Sequence, residues 1–174
     1  MYNMENLRSH PSRNTRPVVT QTQNNTTLWI GHLSSDPTDH FAGQTFQCPS
    51  EGVLDNIQVF SSAVQNPGEM LLTLHEFDPA TKTWGPSLAN SSLELRRGDD
   101  SRWVRFELQP VFLRRDITYG FQLHASDAFI GLGEAATVTQ YPFTFGQEWK
   151  GDSQDREGHY FRYFSLAFKV ELCA

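Results

Sequence analysis

Long apolar runs are missing from this chain. No stretch approaches the roughly eighteen consecutive apolar residues of a membrane span, so no spanning segment is expected. An excess of basic residues is missing too: 14 Lys and Arg stand against 20 Asp and Glu, and the net charge is −6. A field of that sign repels phosphate backbones and argues against nucleic acid as a partner. The basic pairs Arg96-Arg97 and Arg114-Arg115 lie beside Asp99-Asp100 and Asp116 and read as solvated turn charges. Cysteine is scarce. Cys48 and Cys173 are too few for a disulfide framework and too far apart for a metal motif, so two reduced, half-buried thiols are expected. The start of the chain, MYNMENLRSHPSRN, has no apolar signal segment. An extracellular or cell-surface location then requires that a signal was removed beforehand.

Motifs that would announce catalysis are absent as well. The chain contains no G-x-S-x-G, no H-E-x-x-H, no P-loop and no dinucleotide fingerprint. His32, His40, His75, His124 and His159 fall in separate segments without the close spacing that sets two metal ligands side by side, and no H-x-H pair exists. His75 and His124 read as satisfied strand-face residues. Glu76 and Asp78 share a strand face by the period of two, but Asp78 precedes Pro79 and reads as a turn initiator. GLGEAA (131 to 136) lacks the third glycine and the helix of a phosphate loop, and reads as a strand ending at a turn.

What is present is a recurring strand pattern. Residues 1 to 27 are polar and rich in Asn, Gln and Thr, and read as a flexible N-terminal arm. From residue 28 to 174, about nine short apolar alternations follow one another between turn signals: 28–33, 41–48, 53–62, 69–77, 87–95, 102–109, 117–125, 128–133 and 160–172. RWVRFELQ alternates strictly, and no window sustains a helical period. The pattern predicts an all-β, antiparallel sandwich with little helix, formed by a single domain. The aromatic share of 13% suits such a fold and suits carbohydrate or peptide surfaces.

Several stretches carry a more specific likeness. Gln44-Thr45-Phe46, GVLDNIQVF, LLTLHEFDPATKTWGPSL, WVRFELQPVFLRRDITYGFQL and FSLAFKVEL follow in one order, with Ser165 where an Asp is typical. Together they resemble jelly-roll accessory domains found with bacterial surface and polysaccharide-processing proteins. The resemblance runs from residue 41 to the end and implies a jelly-roll sandwich with a noncatalytic, lectin-like role. It also favours proximity of Cys48 and Cys173, because a jelly roll brings its chain ends together.

The stretch YPFTFGQEWKGDSQDREGHY, residues 141 to 160, reads as the long final connection of that fold. Its aromatics make it a candidate binding site, since sugar recognition needs aromatic planes for C–H faces and polar groups for hydroxyls. Trp149, Tyr141, Gln147, Asp152 and Arg156 could supply these, with Trp84 from the TKTWGP turn. Asp152, Asp155 and Glu157 offer oxygen ligands that could hold Ca²⁺, although their spacing departs from the helix-loop-helix calcium pattern. Trp29 and Trp103 read as core or sheet-face residues. The expected function is noncatalytic ligand binding, with a carbohydrate as the first choice and no cofactor required. The alternatives are a structural protein that self-associates as a homo-oligomer through its arm or sheet edges, and a hydrolase.

Overall fold

The computed structural model describes residues 14–137 and 141–174. In chain order the strands are β1 (Thr15–Gln21), β2 (Thr26–Gly31), β3 (His40–Gln47), β4 (Gly52–Asn66), β5 (Gly68–Asp78), β6 (Thr83–Leu95), β7 (Arg102–Glu107), β8 (Phe112–Leu113), β9 (Thr118–His124), β10 (Phe129–Ala136), β11 (Glu148–Asp152), β12 (His159–Phe161), β13 (Phe164–Leu166) and β14 (Phe168–Cys173). The only helical element among the described residues is a 3₁₀ turn, Arg97–Asp99. Among the described residues no helix is long and apolar enough to cross a membrane.

All pairings are antiparallel, and their order is that of a jelly roll. One layer runs β2-β10-β4-β7 and the other β3-β9-β5-β6. Most neighbours are distant in sequence, with β5 and β6 joined by a hairpin, as two interlocked Greek keys require. Gly31 pairs with His40 where the first layer passes into the second. The long β4 also carries β14 along residues 54–59, and β14 in turn carries β1. On the far side of β3 lie β11 and then β12.

Alternation explains the core. In β7, Val104 and Phe106 are buried while Arg105 and Glu107 are exposed, and in β5 Met70, Leu72 and Leu74 take the inward positions. With Ile57, Val59, Phe121, Leu123, Ile130, Phe168 and Val170 they form one cluster between the layers. Phe145 packs on it from the final connection, its ring 5.6 Å from that of Phe168. Each large apolar side chain buried there contributes about 1.5–3 kcal/mol.

Among the described residues fourteen strands replace the expected nine, and two of the additions change the organisation. The boundary of the arm does not lie at residue 27: Thr15–Gln21 pair with the last strand from Cys173 to Phe168, and Val19 is buried. The polar composition of this segment hid it, because an edge strand needs one apolar side chain and a partner ladder rather than a hydrophobic run. Pro17 is accommodated at an irregularity in the pairing, where a missing N–H matters least. The second addition is β11, inside the stretch read as a plain connection. Segment 160–172 is also three short strands, broken where the chain crosses from β11 to β10 and then to β4.

Cys48 and Cys173 are both unbonded. Burial pushes the Cys48 thiol above its ordinary value, which makes it a poor nucleophile. His75 is satisfied on the strand face as expected: Nδ1 donates to Gly85 O at 2.8 Å and Nε2 meets Thr73 Oγ1 at 2.8 Å.

Candidate functional site

The free edge of β3 templates β11. Its residues Glu148 to Asp152 pair with Gln44 to His40, and on its other edge Glu148, Trp149 and Lys150 pair with Phe161, Tyr160 and His159. The connection that leads into it is already tied to the same edge, since Gln47 N–H donates to Phe145 O and Thr45 N–H to Gln147 O. This register fixes which way each side chain points. Trp149 stands opposite Gly43 on the outer face of the layer, while Glu148 stands opposite the buried Gln44 on the inner face.

The outer face carries a second aromatic cluster. Trp84 meets Trp149, Phe77 and His75 edge-on, with ring centroids 5.7, 5.0 and 5.6 Å apart, and Tyr160 lies 5.6 Å from Phe77. Glycines make room for the indoles. A Cβ on Gly43 would come within 3.1 Å of the Trp149 ring, and one on Gly120 within 2.6 Å of the Trp84 ring. The indole N–H groups are both satisfied: Trp149 Nε1 donates to Glu157 O at 2.8 Å and Trp84 Nε1 to Tyr160 Oη at 2.8 Å. Trp149 is therefore only 2% exposed and is a packing residue, which corrects its place as a ligand contact.

Trp84 is different, because it reaches open space. A cleft of about 730 Å³ lies between the β5–β6 hairpin and the β11–β12 hairpin. Trp84, Tyr160, Lys82, Arg156, Glu157 and His159 line it, together with Thr81, Thr83 and Gly158. Both turns are built by side chains that accept from the backbone. Asp78 Oδ1 accepts from Ala80 and Thr81, the turn-initiating role expected of it, and Asp152 Oδ1 accepts from Gln154 and Asp155. Gly158 closes the second turn at φ 65°, a left-handed geometry that favours glycine.

Of the residues singled out in the sequence, the fold thus brings Trp84 and Arg156 to one cleft and sets Trp149 beneath it. Gln147 lines a separate, smaller cleft of about 270 Å³, with Lys82 common to the two. Tyr141 is 79% exposed and lines neither. The expected calcium ligands do not converge. Asp152 and Asp155 hold backbone N–H groups, Asp155 Oδ2 also lies 3.3 Å from His159 Nε2, and Glu157 lines the cleft. Among the described residues no three His, Cys, Asp or Glu side chains gather as metal ligands would.

The inner face of β11 holds groups that patterning did not single out. Glu148 and, from β10, Glu134 are both buried between the layers, and Lys150 Nζ lies 3.1 Å from Glu134 Oε2 and 3.6 Å from Glu148 Oε2. The ammonium also sits 4.8 and 4.5 Å from the ring centres of Phe161 and Phe164. Neither oxygen of Glu148 has a hydrogen-bond donor. Burial pushes the Glu148 carboxyl up to about 10, the hydrogen bond and the charge of Glu134 add to the rise, and Lys150 opposes it. At neutral pH Glu148 is protonated, which gives it the proton to share with Glu134. Only one signal for this cluster exists in the sequence, the odd alternation Glu-Trp-Lys, and its meaning depends on which face is inside.

Comparison of the chain with known protein families and with curated proteins finds no match in either. The geometry of the two hairpins and of the acid pair is therefore what a functional reading has to stand on.

Proposed function

We propose that the protein is a noncatalytic ligand-binding module that takes a saccharide in the cleft between the β5–β6 and β11–β12 hairpins. The observation that carries this reading is the joining of Trp84 and Tyr160 with Arg156, Glu157, His159 and the threonines of the facing turn around one open cleft. Aromatic rings suit the apolar C–H faces of a pyranose, and fixed polar groups at the rim suit its hydroxyls. Rigid supports favour binding, because less side-chain freedom is lost when the ligand arrives. Trp149, Phe77 and the Trp84–Tyr160 hydrogen bond supply that support. The carboxyl pair Glu134–Glu148 is closed off between the layers, away from this cleft, and so does not offer a substrate its acid and base.

Titration of the whole chain with a panel of soluble oligosaccharides, followed by tryptophan fluorescence and calorimetry, tests the proposal. Saturable binding is expected, with a change in emission from Trp84. Tyr160→Ala should weaken it by about tenfold, the size of one lost aromatic contact. A flat response across the panel, or binding that Tyr160→Ala leaves untouched, would remove the reading.

A further inference from the structure

The two walls of the cleft come from different hairpins, and each presents a cation. Lys82 sits at the tip of the β5–β6 hairpin in a left-handed backbone conformation, φ 54°, with its Nζ 5.2 Å from the Tyr160 ring centre. Arg156 comes from the turn between β11 and β12. Neither has an ion-pair partner among the described residues, although the chain as a whole carries six more acidic than basic side chains. The neighbouring acids are engaged elsewhere: Asp155 faces His159, and Asp78 and Asp152 hold their own turns. Among the described residues Glu157 is the single carboxylate lining the cleft, so its formal charge with those of Lys82 and Arg156 remains positive.

Resting on the saccharide reading above, we infer that the ligand is an acidic saccharide whose uronate carboxylate is held between Arg156 and Lys82 while its ring lies against Trp84 and Tyr160. A guanidinium meets a carboxylate through two parallel N–H donors, and an ammonium opposite it adds a charge without fixing direction. Two cations on opposite walls also select orientation along a chain of sugars, because only the repeat placed between them is neutralised. Arg156 has a built-in reporter. His124, on the outer face of β9, is held below its ordinary value by burial first, then by the charge of Arg156 and by His75. A carboxylate seated on Arg156 cancels the second of these and lets His124 titrate higher.

The experiment uses the full chain and short oligomers of galacturonate, mannuronate and glucuronate, each beside its carboxyl-reduced counterpart, which keeps the rings and loses the charge. At least one uronate should bind about tenfold or more tightly than its reduced form. Arg156→Gln and Lys82→Gln should each erase most of that difference, the uronate losing far more affinity than its reduced form. On saturation with that uronate, the His124 ring protons should titrate at higher pH in the unaltered chain and not in Arg156→Gln. Equal binding of charged and reduced forms, or a preference that survives both substitutions, overturns the inference and leaves the saccharide reading standing. No binding of any oligomer in either form overturns both.

Discussion

The two faces of β11 differ in a way that reverses the usual order of a sandwich strand. Trp149 points away from the core and is nearly inaccessible, while Glu148 and Lys150 point into it. The outer face is closed because two hairpins fold over it and pack their aromatics on glycines of β3 and β9, so an outward residue becomes a buried one. The inner face lies where β10 and β13 meet β3 and β11, and Gln44 already ties the layers there by accepting from Leu166 N–H at 3.0 Å. Charges are tolerated at that seam because a proton on Glu148 and the ammonium of Lys150 leave little net charge unmet. Facing the core and being buried are thus separate properties: one follows from strand parity, the other from what is folded on top.

Removing a member from each face tests that distinction. Trp149→Ala should have the largest effect, a loss of about 3–5 kcal/mol, because a fully packed indole leaves a cavity that Trp84 and the glycines cannot fill. Urea denaturation at pH 7 measures it, and a loss below about 1 kcal/mol would mean that the outer cluster is only loosely closed. Lys150→Met should follow at about 3 kcal/mol, the low end for breaking a buried ion pair, since the lysine side chain keeps 30% of its exposure. The same denaturation series reads it, and a neutral result would show that Glu134 needs no cation beside it.

The third effect carries a pH signature. The Glu148 carboxyl titrates near 10 in the folded chain and near 4.5 ordinarily, so between these values the folded state binds the extra proton. Its contribution to stability is fully present below about pH 4.5 and is lost as the pH rises toward 10. Glu148→Gln removes the titrating group while keeping a shape that can hydrogen-bond Glu134. It should flatten the fall, so that the variant gains in stability on the parent as the pH rises from 5 to 9. Parallel curves for the two proteins from pH 5 to 9 would contradict the protonated state assigned to Glu148.

Much of the architecture was legible because alternation is a local signal. The strict pattern of RWVRFELQ became β7, the 69–77 run became β5, and Asp78 initiated the turn that its place before Pro79 suggested. β1 was not legible, since TRPVVTQ carries too few apolar residues to announce a strand until β14 offers its edge. The site was legible only by residue type. Trp84 and Arg156 were among the candidates and meet in one cleft, whereas Tyr160, Lys82 and His159 line the same space and carried no pattern of their own. Their significance comes from two hairpins approaching each other, which no window of sequence records.

By itself, then, the sequence determined the antiparallel all-β class, the lack of any long helix and the supply of aromatics, because each of these depends on composition or on a period of two. Only the tertiary structure decided which tryptophan is buried, which lines a cleft, and why two glutamates can share the interior. Those outcomes depend on the pairing of β11 with β3, a contact between residues about a hundred positions apart whose register sets the face of every side chain it carries.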